Sequence, residues 1–159
     1  MRIAHGFEAF DPPAAGTALS IGNFDGVHRG HQRIFEILRD VATPRGLQTL
    51  AITLEPHPLA VLNPERAPAR LCTIDEKLEL IRRCGADACL VLKSDAALLS
   101  LTAGEFLAKL IVACRPRFVV EGPDFNFGRN RAGSIATLAA EAERSGFTLQ
   151  LLPTINWRE

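Results

Sequence analysis

The chain alternates between two hydrophobic periods, and that alternation constrains its fold more than any other feature. Short, near-continuous apolar runs occur at Ala18–Ile21, Gln48–Leu54, Ala88–Leu92, Arg117–Val120 and Phe147–Leu152. Between them, apolar residues recur at helical spacing: Ile34, Ile37, Leu38 and Val41; Leu78, Leu80 and Ile81; Phe106, Leu107, Leu110 and Ile111. A strand that is apolar along its whole length needs cover on both faces. The alternation therefore predicts an α/β fold, a doubly wound parallel sheet of about five strands.

Local signals set the boundaries. Thr73 with Glu76 and Thr102 with Glu105 have the spacing of capping boxes, and Ser134 is placed to cap a helix through Arg144. Pro44 and Gly46 close the first helix, Pro56 and Pro58 stop the second strand, and Pro116 marks the end of the third helix. Residues 59–72 read as Pro-rich and irregular, and 121–133 as a Gly-rich loop.

At 159 residues the chain is expected to form one domain, residues 1–159. Lys plus Arg equals Asp plus Glu at 18 each, so no net charge draws it to nucleic acid or to an anionic membrane. Cys72, Cys84, Cys89 and Cys114 form no C-x-x-C pair and lie at no zinc spacing from a histidine. They read as reduced, buried thiols, which fits the cytoplasm. Met1–Phe10 has no basic and then apolar segment of a signal peptide, and no apolar run approaches the ~20 residues of a membrane span.

In doubly wound sheets ligands bind beyond the carboxyl ends of the strands. Three of the four histidines fall there: His28, His31 and His57. His28 and His31 belong to Gly22-Asn23-Phe24-Asp25-Gly26-Val27-His28-Arg29-Gly30-His31, which joins the first predicted strand to a helix. Glycines there let backbone approach a ligand, the helix start offers free N–H groups to phosphate, and imidazoles add donors. Such a site suits transfer of an adenylyl group, in which charge grows on the α-phosphate and on departing pyrophosphate. Neither G-x-x-x-x-G-K-[ST] nor G-x-G-x-x-G occurs.

The Gly22–His31 stretch resembles the HxGH signature of the nucleotidyltransferase superfamily. Its particular form, continuing into Gln32, resembles the FMN adenylyltransferase (FAD synthetase) domain of prokaryotic bifunctional riboflavin kinase/FAD synthetases. Thr53–Pro58, Arg70–Thr73 with Lys77, and Gly122–Gly128 running on to Gly133 resemble further segments of that domain, in order, across about residues 18–152. The resemblance implies a Rossmann-like fold and FAD formation from FMN and ATP with Mg²⁺. It makes His28 and His31 the residues that hold and polarise the ATP phosphates. It places Gly22, Asn23, Phe24, Asp25, Gly26 and Gly30 around the nucleotide. It places Pro56, His57, Pro58, Asp124, Phe125, Asn126, Phe127 and Gly128 on the flavin side; no metal ligand is assigned. Phe125 and Phe127 at i, i+2 in a strand face one way, as flavin cover or as core. Asp25 either touches ligand or braces its loop, and Glu121 is expected to be a solvated charge.

The sequence departs from the family at several points. Leu54 replaces a common phenylalanine, and Pro123 stands where a polar residue is usual. The S-S-T-x-I-R motif expected after the fifth strand is missing, since Thr154 and Arg158 are not at its spacing. A riboflavin kinase domain is not contained in these residues: either the chain is part of a longer protein that carries one C-terminally, or it is a reduced relative. Riboflavin phosphorylation is accordingly not expected of this chain. The competing readings are an HxGH enzyme with another phosphate acceptor and a flavin- or nucleotide-binding relative without turnover.

Overall fold

The computed structural model describes residues 1–153, so Thr154 and Arg158 lie outside the described residues. Six strands form one parallel sheet: β1 (Arg2–His5), β2 (Thr17–Ile21), β3 (Gln48–Glu55), β4 (Ala88–Lys93), β5 (Pro116–Glu121) and β6 (Thr148–Leu151), in the order β1-β4-β3-β2-β5-β6. The expected five strands are all present. The sixth, β1, escaped because only one of its four residues, Ala4, is buried, which leaves no apolar run to read.

The helices are α1 (Arg29–Arg45), α2 (Pro58–Leu62), α3 (Ile74–Arg83), α4 (Ala96–Leu99), α5 (Ala103–Cys114) and α6 (Ile135–Ser145). Two apolar clusters show that the sheet is covered on both faces. One joins Phe24, Ile34, Phe35, Leu38 and Ile81 to Ala51, Val91 and Val120. The other joins Phe7, Phe10, Phe106, Leu110 and Leu138 to Leu19, Ile52, Leu90 and Val119.

Thr73, Thr102 and Ser134 all cap as expected, each accepting from the amide three residues on. An oxygen at that position satisfies one of the orphan donors of a helix start. Two boundaries differ from expectation. α1 runs through Pro44 to Arg45; the proline sits in the final turn, and Gly46 in left-handed conformation takes the C-cap. Residues 59–72 are not wholly irregular: α2 and a short 3₁₀ turn at Pro64–Arg66 lie within 58–66. α2 is one turn long, with no buried residue, so it has no apolar period to announce it.

Chain order dictates where a ligand sits. β2 leads through α1 to β3 on one side, and β5 leads through α6 to β6 on the other. The connections diverge between β2 and β5, and such a switch point opens a crevice at the carboxyl ends of the two strands.

Candidate active site

The histidine loop leaves the sheet at that switch point. The Gly22 amide donates to the Ile52 carbonyl at 2.9 Å, and Thr53 Oγ1 donates to the Asn23 carbonyl at 3.1 Å, so the start of the loop is bonded to β3. The backbone then turns through three left-handed residues, Phe24 (φ 49°), Gly26 (φ 67°) and Val27 (φ 39°). For β-branched Val27 this conformation costs on the order of 1–2 kcal/mol, and strained backbone of this kind concentrates at functional loops.

His28 caps α1. Its Nδ1 accepts from the His31 amide at 3.4 Å, and the two rings stack with centroids 3.6 Å apart at 20°. An imidazole that accepts at Nδ1 carries its proton at Nε2, and His28 is exposed, so that donor is available to a ligand. The amides of Arg29 and Gly30, in the first turn, have no carbonyl within the helix to reach. Gly30 permits the arrangement: a Cβ there would lie 3.0 Å from His28 Cε1.

His31 is half-buried on the edge of the Phe24 ring, 5.0 Å between centroids. Burial, and then the neighbouring His28, lower its pKa to about 4, against the opposing pull of Asp25. It is neutral at physiological pH, with one donor and one acceptor nitrogen. Its Nδ1 is buried without a partner among the described residues, as expected of an atom that a ligand is meant to satisfy.

The structure separates the remaining expected site residues by role. Phe24 is fully buried, so it supports His31 from below and does not line the crevice. Asp25 braces its loop: Oδ2 accepts from the Leu71 amide (2.9 Å) and Oδ1 from the Cys72 amide (3.1 Å). These bonds hold its carboxyl below the usual range even though burial acts the other way. Asp25 thereby draws Leu71 over Gly26, where a Cβ would lie 3.1 Å from Leu71 Cδ1.

Asn23 meets His57, with its amide nitrogen 3.0 Å from Nε2. His57 Nδ1 accepts from the Leu59 amide at 3.1 Å, which orients the ring with Nε2 facing the Asn23 amide. This joins the histidine loop to the Pro56–Pro58 turn. The Asp124–Gly128 segment is held elsewhere, with Gly128 against Ala103 and Arg129 N donating to Leu101 O at 2.7 Å. Phe125 and Phe127 are not on a strand, contrary to expectation. Phe127 forms an isolated antiparallel bridge with Gly133. The rings nonetheless stack, 5.4 Å apart at 22°. Phe127 is buried core against Phe106, while Phe125 is half-buried and offers ring surface. Asp124 and Asn126 are exposed.

Sequence reasoning missed two features. Glu55, at the end of β3, pairs with the buried Lys77 (3.1 Å) and with Arg70 (2.7 Å). Glu121 is not a solvated charge: it is 2% exposed and its Oε1 accepts from the Ile21 amide at 2.7 Å. The available signal was its position directly after Val119-Val120, at the end of an apolar strand.

The chain is similar to known proteins over most of its length. The bifunctional riboflavin kinase/FMN adenylyltransferase of Escherichia coli (strain K12) is 38% identical over 138 residues, 86% of this chain and 44% of that protein. The enzyme of the same name from Pseudomonas fluorescens is 35% identical over 156 residues, 98% of this chain and 50% of that protein. The chain thus spans about half the length of these relatives. Two solved structures share the fold. A macrolide-efflux protein from Streptococcus pneumoniae aligns with TM-score 0.80 at 23% identity, covering 99% of this chain and 53% of that one. A pantoate-beta-alanine ligase from Francisella tularensis aligns with TM-score 0.63 at 10% identity, covering 99% of this chain and 69% of that one. The family model for FAD synthetase matches residues 11–159, and the chain belongs to the FAD synthetase family.

Proposed function

We propose that the chain transfers the adenylyl group of MgATP to the phosphate of FMN, giving FAD and pyrophosphate. The observation that carries this reading is the stacked His28–His31 pair at the start of α1, at the switch point of the sheet, in a chain of this family. An FMN phosphate oxygen attacks the α-phosphorus, and the bond to the β-phosphate oxygen breaks. Charge that develops on these oxygens is met by His28 Nε2–H, by the open amides of Arg29 and Gly30, and by the neutral His31. Gly22, Asn23 and Gly26 shape the nucleotide side. Pro56, His57 and Pro58 frame the flavin side with Asp124, Asn126 and the exposed face of Phe125, while Phe24, Asp25, Phe127 and Gly128 support these groups.

Among the described residues no three His, Cys, Asp or Glu side chains cluster to cage a metal. Mg²⁺ supplied with ATP would be held mainly by the ATP phosphates and would neutralise their charge. No helix among the described residues is long and apolar enough to cross a membrane. The four free cysteines support assigning the reaction to the cytoplasm. A C-terminal riboflavin kinase domain in a longer chain would supply FMN.

The test is FAD formation from FMN and MgATP, followed by chromatography, with His31→Ala as control. FAD that falls at least about 100-fold in the variant supports the reading, on the scale of losing a transition-state donor. Saturable binding of FMN and ATP without FAD would instead identify a binding module.

A further inference from the structure

Glu121 is an acidic residue for which adenylyl transfer has no evident use, and it lies buried where the active-site crevice begins. β2 stays paired with β3 through Ile21↔Ile52, but with β5 only through Leu19↔Val119. β5 continues alongside β6 to Glu121↔Leu151, so β2 and β5 part at the switch point. Successive amides of a strand point to opposite sides. The Gly22 amide serves β3, and the Ile21 amide faces the side that β5 has left. In place of a ladder carbonyl it finds Glu121 Oε1.

We propose that Glu121 is a positioning residue for the histidine loop: its carboxyl group replaces the missing ladder partner of Ile21 and fixes where Gly22 leaves the sheet, and so where His28 and His31 stand. The inference rests on the histidines' part in adenylyl transfer. Two considerations support it. A carboxyl group is costly to bury, and an apolar side chain following Val119 and Val120 would fill this position without that cost. Moreover, the loop is anchored at its start by few bonds before it enters three left-handed residues, so a displaced Ile21 amide is carried into the loop. Burial raises the Glu121 carboxyl well above its ordinary range, with the Ile21 amide acting against it.

The experiment compares steady-state FAD formation by the full chain, Glu121→Gln and Glu121→Met, with melting curves and NMR spectra assigned at Ile21 N–H and at the His28 and His31 rings. Gln keeps the acceptor and the length; Met keeps the length alone. Loss of a positioning hydrogen bond corresponds to about 10–100-fold in kcat, so E121M is expected to fall by that factor with KM for FMN nearly unchanged. E121Q should stay within about threefold of wild type, and only E121M should move the Ile21 and histidine resonances. Wild-type kcat in E121M, or an equal fall in E121Q, overturns the proposal. If E121M does not fold, Glu121→Asp takes its place: one methylene short of Ile21, it should lose kcat likewise, and full activity in it overturns the proposal. If wild type forms no FAD, the functional reading fails by itself. Positioning is then judged on the spectra, and histidine resonances unmoved in the Met or Asp variant reject it.

Discussion

His28 and His31 are the same residue type three positions apart, and the fold gives them different surroundings. The exposed ring caps the helix, while the half-buried one is held neutral with a pKa of about 4. The sign of the resulting pH dependence follows. The unfolded chain takes up a proton at His31 near pH 6.5, but the folded chain does so only near pH 4. Stability from neutral His31 is therefore fully present above about pH 6.5 and is lost as pH falls toward 4. The full shift corresponds to about 3 kcal/mol, which solvent at the partly exposed ring reduces to about 1–2 kcal/mol. Urea midpoints at pH 7 and pH 4.5 should show His31→Gln losing less stability than wild type by about that amount. Parallel profiles would mean that burial does not hold His31 neutral. That a histidine pair stands in a Gly-rich strand-to-helix turn was legible in the sequence, because residue types and spacing carry it. Which of the two is buried was not, because Phe24, on which His31 rests, is placed by the left-handed turn and the core beneath it. Asp25 was ambiguous for the same reason: its partners, Leu71 and Cys72, are 46 and 47 residues away.

At the scale of elements, local rules were readable and nonlocal ones were not. All three capping residues, Thr73, Thr102 and Ser134, act where their spacing indicated, because a cap and its helix are chemically adjacent. The tie between α3 and the end of β3 was invisible, because Glu55 and Lys77 meet only once β3 and α3 have docked. That tie is asymmetric. The Lys77 side chain is 5% exposed, while Glu55 is 18% exposed and has a second cation, Arg70. Glu55→Leu leaves a buried ammonium unpaired, which costs about 3–5 kcal/mol. Lys77→Met leaves Glu55 paired with Arg70 near the surface, and Met fills the stem's volume, so about 1 kcal/mol is expected. Equilibrium unfolding of the two variants should differ by at least about 2 kcal/mol. Equal losses would show that packing of the lysine stem, and not its charge, holds α3 to the sheet.

For the whole molecule, strand number and order depend on pairings that no segment announces. The alternation of periods revealed five strands, but β1 contributes a single buried residue and lies outside the family match, which begins at residue 11. The first ten residues nonetheless finish the sheet. β1 pairs with β4 from Arg2↔Ala88 to His5↔Val91, Phe7 meets Phe106 edge to face at 6.0 Å, and Phe7, Phe10 and Ala4 belong to the core that packs α5. Without them β4 becomes the edge. Its residues Ala88–Leu92 are all at most 5% exposed and carry no charge until Lys93. A long, apolar, unprotected edge is a template for pairing with other chains. A chain beginning at Asp11 is therefore expected to unfold at least about 3 kcal/mol more easily, from the loss of two buried phenylalanines, and to self-associate. Size-exclusion chromatography and amide exchange of β4 test both. Fast exchange of β4 with growing aggregates is the expected result, whereas a monomeric truncated chain with β4 still protected would mean that the sheet is complete without β1. The histidine loop should be indifferent to the change, because β2 lies three strands and β5 four strands from β1.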